Sequence, residues 1–296
     1  MRTIEPGTIP THDFHQFLLG AVAPRPIAFA STINEDGLVN LAPYSFFNAF
    51  SSNPPILVFS SNRRVSDNTT KDTLHNIEIN KEVVINVVNY AIVRQMAVAA
   101  VNFDSAVSEF SKTGLTPVPS DIVKPPRVKE SPVQMECKVK EIITLGKHGG
   151  AGHLIICDVV KMHVSEEVID ENNRIDPHKI DLVGRMGRSY YTRASGDAIF
   201  TVVQPVTKIS LGYDQLPDHI KQSEVLTGND IGRLAGLYAL PTSDEMTALR
   251  QEPEVHNFIQ NFSEKDDFNT RVHVWAGLEL ENDNAEFAMK LLHLIA

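Results

Sequence analysis

Hydroxyl, amide and cationic side chains are concentrated in residues 59–73, FSSNRRVSDNTTKDT. The segment follows an apolar, strand-like run and precedes a helix-like pattern, so it lies beside the free N–H groups of a predicted helix start. Such groups together supply the charge-assisted hydrogen bonds that a phosphate requires. The candidate donors are Ser60, Ser61, Asn62, Arg63, Arg64, Ser66, Thr69, Thr70, Lys71 and Thr73. The spacing alone favours a solvated loop leading into a capped helix over a ligand site.

Aromatic side chains crowd a second run, residues 41–55, LAPYSFFNAFSSNPP, which also holds small polar residues. Tyr44, Phe46, Phe47 and Phe50 could line a planar aromatic ligand, with its ring on apolar side chains and its edge on backbone amides. A plain aromatic core explains the same residues, and the run alone favours that interpretation.

Common catalytic and metal motifs are missing from the sequence. It contains neither GxxxxGK[ST] nor GxSxG, and its one glycine-rich stretch, residues 146–153, GKHGGAGH, precedes a strand rather than a helix. These features exclude P-loop and Rossmann enzymes. No HExxH, CxxC or HxH pair occurs, and we expect His148 and His153 to be solvent-facing turn residues. No metal site is therefore predicted.

Composition indicates a folded globular protein, because 42% of the 296 residues are hydrophobic and 22% are charged. The formal charge of -10 disfavours nucleic acid as a partner. Cys137 and Cys157 lie among Val and Ile, so we expect two buried, reduced thiols. No secretory leader pattern and no run of about 18 apolar residues is present. These features predict a cytoplasmic protein without a membrane partner.

Apolar, β-branched runs dominate the first two thirds of the chain and predict antiparallel strands, because several of them alternate apolar and polar residues. Asn34 to Gly37 is the expected hairpin tip and residues 146–152 the loop between two long strands. The predicted strands are residues 26–33, 55–61, 83–89, 133–145 and 153–164.

Two helices are predicted between these strands. Residues 70–80 place Leu74 and Ile77 on one side, with Thr70 as N-cap, and residues 91–101 form a short amphipathic helix. The prolines between residues 110 and 132 predict an extended surface loop.

The last hundred residues differ from the rest in charge and pattern. Residues 1–196 hold 20 basic and 21 acidic residues, whereas residues 197–296 hold 7 and 16, a balance of -9. After one more strand-like run, residues 199–206, helical spacing occurs in residues 228–240, 243–262 and 284–296, with Asn229, Ser243 and Asn284 as caps. We therefore predict a domain over residues 1–196 and an acidic, mostly helical extension over residues 197–296.

Three blocks of sequence together resemble the flavin reductase-like family of FMN-binding split β-barrels, which includes flavoredoxin-type proteins. The blocks are residues 24–61, residues 68–88 (NTTKDTLHNIEINKEVVINVV) and residues 181–193 (DLVGRMGRSYYTR). The resemblance spans residues 14–193. It implies a mainly β Greek-key split barrel that forms a homodimer, with one FMN held near the subunit interface of each protomer.

The resemblance also assigns flavin contacts. It places the isoalloxazine along one strand and turn, and it places the phosphate on residues 60–73, the segment that holds the candidate anion donors. With the resemblance, a ligand site is therefore favoured over a solvated loop for this segment. The resemblance also assigns Arg25, Arg185 and Tyr190 as flavin contacts. The Arg-Leu-Gly-Gly motif that is usual in the family is replaced by Arg-Met-Gly-Arg in this sequence. The ring contacts are Asn40, Ala42, Pro43, Tyr44, Ser45 and Phe46, and the phosphate contacts are Ser60, Ser61, Asn62, Arg63, Lys71, Asp72 and Thr73.

The activity implied is an FMN-dependent oxidoreductase in which NADH or NADPH delivers hydride to the flavin and electrons pass to a small-molecule or protein acceptor. No side chain is assigned as a catalytic acid or base. His153 and His163 lie on the strand that often borders the flavin in this family, and we expect structural roles for both. Two alternatives remain open: an FMN-binding electron-transfer protein reduced by a protein partner, and a flavin-free barrel that serves as an interaction module.

Overall fold

A computed structural model describes residues 1–202, 204, 207–262 and 267–295. The chain divides into two compact units, Met1–Phe200 and Thr201–Ala296. No helix among the described residues combines the length and apolarity that crossing a bilayer requires.

An antiparallel sheet of seven strands forms the first unit, in the order β2-β1-β5-β8-β9-β4-β3. The five strands predicted between residues 26 and 164 are present, and the antiparallel pairing is confirmed. The strands are β1 (Ala28–Ile33), β2 (Val39–Tyr44), β3 (Phe47–Ser52), β4 (Pro55–Asn62), β5 (Glu82–Val87), β8 (Val133–Thr144) and β9 (Gly152–Val164).

The two edge strands of this sheet are consecutive in the chain. β2 and β3 lie at opposite ends of the strand order, yet only Ser45 and Phe46 separate them. The sheet must therefore curve until its edges meet, and the Ser60 N–H donates to the Phe46 carbonyl at 2.8 Å beside this junction. The result is the barrel that the resemblance to the flavin reductase-like family implies.

Alternation along each strand divides the side chains between two cores. Ala28, Ala30 and Phe59 belong to one core, which also contains the free, buried thiols of Cys137 and Cys157. Phe29 of β1 and Leu41 of β2 point the other way, as does Ile27, which precedes β1. This second face is covered by two short helices, α3 (Val93–Val98) and α4 (Glu109–Thr113).

Two helices of the first unit pack or begin differently from the sequence prediction. α2 (Asp72–Asn80) buries Leu74 and Ile77 as expected, but its N-cap position is Lys71 rather than Thr70, and no side chain caps it. The helix predicted over residues 91–101 is confined to α3, although Ile92, Met96 and Ala99 are buried as its spacing required. An N-terminal helix, α1 (Thr11–Ala21), was not predicted.

The proline-rich segment is only partly a surface loop. It contains α4 and a two-stranded ladder of β6 (Pro117–Val118) and β7 (Arg127–Val128), and Leu115 and Val123 are buried. The fully buried carboxylate of Glu136 anchors it, because it accepts hydrogen bonds from the backbone N–H groups of residues 121–123 at 2.7–3.1 Å.

The remainder of the first unit is a short helix, α5 (Pro177–Ile180), and a ladder of β10 (Val183–Arg185) with β11 (Tyr191–Arg193). The strand predicted over residues 199–206 is absent at residues 199–202 and at residue 204, and residues 203, 205 and 206 lie outside the described residues.

The second unit is helical, as predicted, and has its own core around Leu234, Leu249 and Leu280. Pro253 divides the helix predicted over residues 243–262 in two, because proline cannot continue the hydrogen-bond ladder. Its longest helix was not predicted. The helices are α6 (Asp218–Lys221), α7 (Gly228–Ala235), α8 (Ser243–Gln251), α9 (Pro253–Phe262), α10 (Phe268–Glu281) and α11 (Ala285–Leu292).

The N-caps of these helices differ from the predicted residues. Thr227 and Thr242, rather than Asn229 and Ser243, cap α7 and α8, and each forms a reciprocal capping box with Asp230 or Glu245. Asn284 occupies the N-cap position of α11 without a side-chain hydrogen bond to it.

Candidate functional site

A cleft of about 560 Å³ opens at the junction between β2 and β3. Of the predicted flavin contacts, it brings together Arg25, Ser45, Phe46, Ser60 and Asn62. Its volume and its aromatic walls suit a planar ring ligand. Apolar side chains that contribute to the wall are Val22, Phe46, Phe47, Phe50, Val58, Phe59, Leu145 and Leu154.

A second group of predicted contacts surrounds the aromatic ring of Tyr44, which packs against Phe59 with ring centroids 5.2 Å apart. The Lys71 Nζ atom lies 5.0 Å from the centroid of the Tyr44 ring, a cation–π contact. Burial, and then the like charge of Arg64, lower the pKa of the Lys71 ammonium. This half-buried cation is thus poorly solvated, and an anion would compensate its charge.

Two buried hydroxyls in this group have no hydrogen-bond partner among the described residues. Tyr44 Oη and Ser61 Oγ are enclosed, and their residues are 5% and 1% exposed. Burial raises the pKa of Tyr44 to about 12, and the nearby Thr73 and Ser61 hydroxyls, although outside hydrogen-bonding geometry, offset part of that rise. An unsatisfied buried hydroxyl costs about 1–3 kcal/mol, so a ligand that bonds to both would recover this energy.

The start of α2 adds backbone donors to the group. Its first residues, Asp72 and Thr73, follow Lys71 directly, and no described side chain caps the helix. The first N–H groups of a helix have no partner within the helix and point toward its N-terminal side, where they favour an anion. Lys71, Ser61, Tyr44 and the α2 start thus form an anion-donor set.

The Thr73 hydroxyl is used within the protein. It donates to Asn40 Oδ1 at 2.7 Å, while Asn40 Nδ2 donates to both oxygens of the Glu109 carboxylate at 3.0 and 3.1 Å. Burial raises the pKa of Glu109, although the hydrogen bonds that its carboxylate accepts from the Leu41 N–H and the Asn40 amide oppose the rise. The Thr73 and Asn40 side chains are therefore committed to a buried network, and sequence reasoning missed Glu109 because it lies 69 residues from Asn40.

Asn40 and Asp72 line a different cavity from the cleft, one of about 300 Å³ beside the 34–37 hairpin tip. Ala42 faces the barrel core, and Pro43 pairs with Phe29 on β1. Of the predicted ring contacts, only Ser45 and Phe46, which follow β2, line the cleft.

Three predicted phosphate contacts form side-chain hydrogen bonds within the protein, inside β4 or to the loops that follow β4 and precede β9. Arg63 Nε donates to Asn68 Oδ1 at 2.7 Å, Asn62 Nδ2 donates to the Gly150 carbonyl at 3.2 Å, and Ser60 Oγ donates to Asn62 Oδ1 at 2.8 Å. A Cβ atom at Gly152 would lie 2.5 Å from Ser60 Oγ. Glycine at position 152 therefore allows β9 to approach β4 closely at this point.

Arg25 connects the cleft wall to the end of α1 and to the segment that contains Met186. Its buried guanidinium donates to the carbonyls of Leu19, Val22 and Met186, and its Cζ atom lies 6.0 Å from the Phe46 ring centroid. With most of its donors occupied, Arg25 positions the cleft wall and contributes positive charge to it.

Arg185 and Tyr190 lie on the loop beside Arg25. The Arg185 Cζ atom is 4.6 Å from the Tyr191 ring centroid, and Tyr190 is 68% exposed. Neither residue lines the cleft.

The histidines of β9 have structural partners. His153, expected to face solvent, is buried, and its Nδ1 lies 3.0 Å from the Ser61 carbonyl. His163 Nε2 lies 2.7 Å from Glu136 Oε1. Asp121, Glu136 and His163 lie close enough to hold a metal, but Lys161 pairs with Asp121 and hydrogen bonds surround Glu136. We interpret this cluster as the anchor of the proline-rich segment.

Comparisons with known proteins agree with the barrel. Residues 20–182, more than half of the chain, match the family described as "Flavin reductase like domain". An uncharacterized protein of Aquifex aeolicus is 39% identical over 183 residues, which are 62% of this chain and 91% of the relative.

Solved structures give the same result. Nitrilotriacetate monooxygenase component B from Bacillus cereus is 31% identical with a TM-score of 0.64 and covers 68% of this chain and 98% of its own. Pseudomonas fluorescens 2-nitrobenzoate 2-nitroreductase is 30% identical with a TM-score of 0.61, over 68% and 96%. The chain therefore belongs to the flavin reductase-like family.

Proposed function

We propose that this protein is an FMN-dependent oxidoreductase of the flavin reductase type, which accepts hydride from NADH or NADPH and passes electrons to a second acceptor. The observation that carries the proposal is the anion-donor set, whose Tyr44 and Ser61 are adjacent in the chain to Ser45 and Ser60 of the aromatic cleft. The set combines two buried hydroxyls without described partners, a half-buried lysine and an uncapped helix start. These groups fit the phosphate tail of FMN, and the cleft fits its ring.

The residues proposed to hold FMN follow from this geometry. Lys71, Ser61, Tyr44 and the backbone N–H groups of Asp72 and Thr73 would bind the phosphate. Ser45 and Phe46, at the junction of β2 and β3, would meet the ring in the cleft. Asn40, Arg25, Arg63 and Asn62 would position these groups through the hydrogen bonds described above.

When bound, the flavin would supply the redox chemistry, because it accepts a hydride and releases electrons singly or in pairs. The protein's own residues bind, orient and exclude water. The Lys71 ammonium neutralises phosphate charge, and the cleft walls of Phe46, Phe47 and Phe50 hold an aromatic ring away from water. No side chain in the cleft is required as an acid or a base.

The named relatives support an oxidoreductase. One solved structure is component B of a monooxygenase and another is a nitroreductase, each about one third identical to this chain. We also propose a cytoplasmic location, which the free thiols of Cys137 and Cys157 support.

We further propose a homodimer whose interface lies beside the cleft. Val22, Phe50 and Leu145 line the cleft but are 59%, 68% and 60% exposed in the protomer. α1 buries none of its residues, and its Phe17 and Leu18 are nearly half exposed. A second copy would remove this apolar surface from water. Light scattering should give a mass near 66 kDa, about twice 32.8 kDa, whereas a monomer at micromolar concentration would contradict the proposal.

Absorbance tests the cofactor and the reaction separately. Purified protein, supplied with FMN and desalted, should retain the yellow flavin spectrum. NADH or NADPH should then bleach it under anaerobic conditions. Retained flavin that neither nucleotide bleaches would indicate an electron-transfer protein reduced by another protein. Failure to retain any flavin would contradict the proposal and favour the interaction module.

A further inference from the structure

The loop from Arg185 to Tyr191 borders the cleft on the side of Arg25. The two arginines exchange backbone hydrogen bonds, from the Arg25 N–H to the Arg185 carbonyl at 3.0 Å and from the Arg185 N–H to the Arg25 carbonyl at 2.8 Å. A Cβ atom at Gly184 would lie 2.8 Å from Cβ of Pro24, which lines the cleft. Whatever binds to this loop therefore lies next to the proposed flavin ring site.

Arg188 at the tip of this loop has an unfavourable backbone conformation. Its φ is 56°, in the left-handed region that glycine adopts freely and that costs other L-residues about 1 kcal/mol. Its side chain is exposed, and its guanidinium forms no ion pair with a described residue. Residues held in such conformations cluster at active sites and ligand sites.

The loop combines this free cation with a second one and with exposed rings. Arg185 stacks on Tyr191, 4.6 Å from the ring centroid, and its guanidinium contacts the Arg188 carbonyl at 2.6 Å. Burial, and then the charge of Arg185, lower the pKa of Arg25. None of these three arginines forms an ion pair with a described acid. The Tyr190 ring, 68% exposed, adds an aromatic surface.

Exposed aromatic rings stack with purines, and guanidinium groups bind phosphates through paired hydrogen bonds. We propose that Arg188, with Arg185 and the Tyr190 ring, binds the 2′-phosphoadenosine half of NADPH and so makes NADPH the preferred hydride donor. The inference rests on the proposed function, because it requires a nicotinamide nucleotide to reach the cleft.

The variant Arg188→Gly tests the inference cleanly, since glycine removes the cation and also relieves the backbone cost. Calorimetric titration of 2′,5′-ADP into the FMN-loaded protein should show binding about 10- to 100-fold weaker in Arg188→Gly than in the wild type. The ratio of kcat/KM for NADPH to that for NADH should fall by a similar factor. Arg188→Lys should retain part of the preference, and Arg94→Ala, which removes an exposed arginine of α3, should retain all of it.

The outcomes separate this inference from the proposed function. Wild-type protein that binds 5′-ADP as tightly as 2′,5′-ADP, or that NADH and NADPH reduce equally well, would overturn the 2′-phosphate site while leaving the flavin reductase proposal intact. An unchanged nucleotide preference in Arg188→Gly would likewise overturn it. Protein that retains no FMN would contradict the proposed function itself, and flavin retention is measured independently by absorbance.

Discussion

Two helix starts in the second unit and one in the first are satisfied in opposite ways. In the second unit, Thr227 and Thr242 cap α7 and α8 with reciprocal capping boxes, so the helix N–H groups are bonded within the chain. In the first unit, Lys71 occupies the N-cap position of α2 and no side chain caps the helix. The comparison teaches that a helix start can serve the fold or a ligand, and that an unfilled one beside a cation indicates a ligand.

Buried polar atoms show the same contrast. In the second unit, His273 lies 2.7 Å from Ser223 Oγ and 3.2 Å from His219 Nδ1, so its ring nitrogens have partners. Among the described residues, the buried side-chain atoms without a partner are Tyr44 Oη, Ser61 Oγ and Asn89 Oδ1, all in the first unit. Two of these three belong to the anion-donor set, as a ligand site would require.

The largest expected effect is on FMN binding by the double variant Ser61→Ala with Lys71→Ala. It should weaken FMN binding by about 2–4 kcal/mol, because it removes charge-assisted bonds to the phosphate. The apo protein should lose little stability, because the Ser61 hydroxyl has no described partner and because removal of the poorly solvated Lys71 charge offsets loss of its cation–π contact with Tyr44. Fluorescence titration of FMN and urea unfolding of the apo protein measure the two quantities.

A matched pair on α4 provides the control. Ser111→Ala with Lys112→Ala removes the same side-chain types from exposed positions and should leave FMN affinity unchanged. Equal FMN affinity in the α2 variant and in this control would break the contrast between the two kinds of helix start.

The next largest effect is on the free energy of unfolding, at the buried carboxylate of Glu136 in the first unit, whose oxygens accept hydrogen bonds. Glu136→Gln should destabilise the protein by about 2–3 kcal/mol at pH 7, because an amide cannot accept all the hydrogen bonds that the carboxylate accepts. Burial alone would raise the pKa of Glu136, but the N–H groups of residues 121–123 and the His163 ring lower it to about 2.

The sign of the pH dependence follows from that depressed pKa. The native state binds fewer protons than the unfolded state between pH 4.5 and 2, so the stability from Glu136 is present above pH 4.5 and is lost as pH falls toward 2. The difference in unfolding free energy between wild type and Glu136→Gln should shrink over this range. Glu141→Gln, an exposed change on the same strand, should show no such trend; a constant difference down to pH 2 would refute the assignment.

The smallest effect is expected in the second unit, at a helix start that is already satisfied. Thr242→Ala should destabilise the protein by about 1 kcal/mol, the usual value of an N-cap, while FMN affinity stays at the wild-type value. Thr242→Ser retains the capping oxygen and should restore most of the stability in urea unfolding. A loss of FMN affinity in Thr242→Ala would show that the two kinds of helix start are not independent.

The sheet could be predicted from sequence because its strands are long and regularly alternating, as in residues 133–145. Helix boundaries could not, since the caps depend on backbone geometry: Thr227 and Thr242 lie outside the periodic segments whose spacing indicates the helices. α10 escaped prediction because its apolar residues are distributed around the helix rather than along one face.

The site could be predicted as a list of residues but not as an arrangement. The sequence indicated Lys71, Ser61 and Thr73 together, yet nothing in it shows that the Thr73 proton is used by Asn40. That commitment depends on Glu109, brought beside β2 by the packing of α4. Long-range contacts of this kind leave no local pattern in a single sequence.

The two-residue link between β2 and β3 has a consequence for how this protein can vary. Ser45 and Phe46 join opposite edges of the sheet and also form the wall of the cleft. One inserted residue would turn every following side chain of β3 to the reverse face. Substitutions in this link can therefore change which ligands the cleft accepts, whereas insertions or deletions in it would disrupt β3.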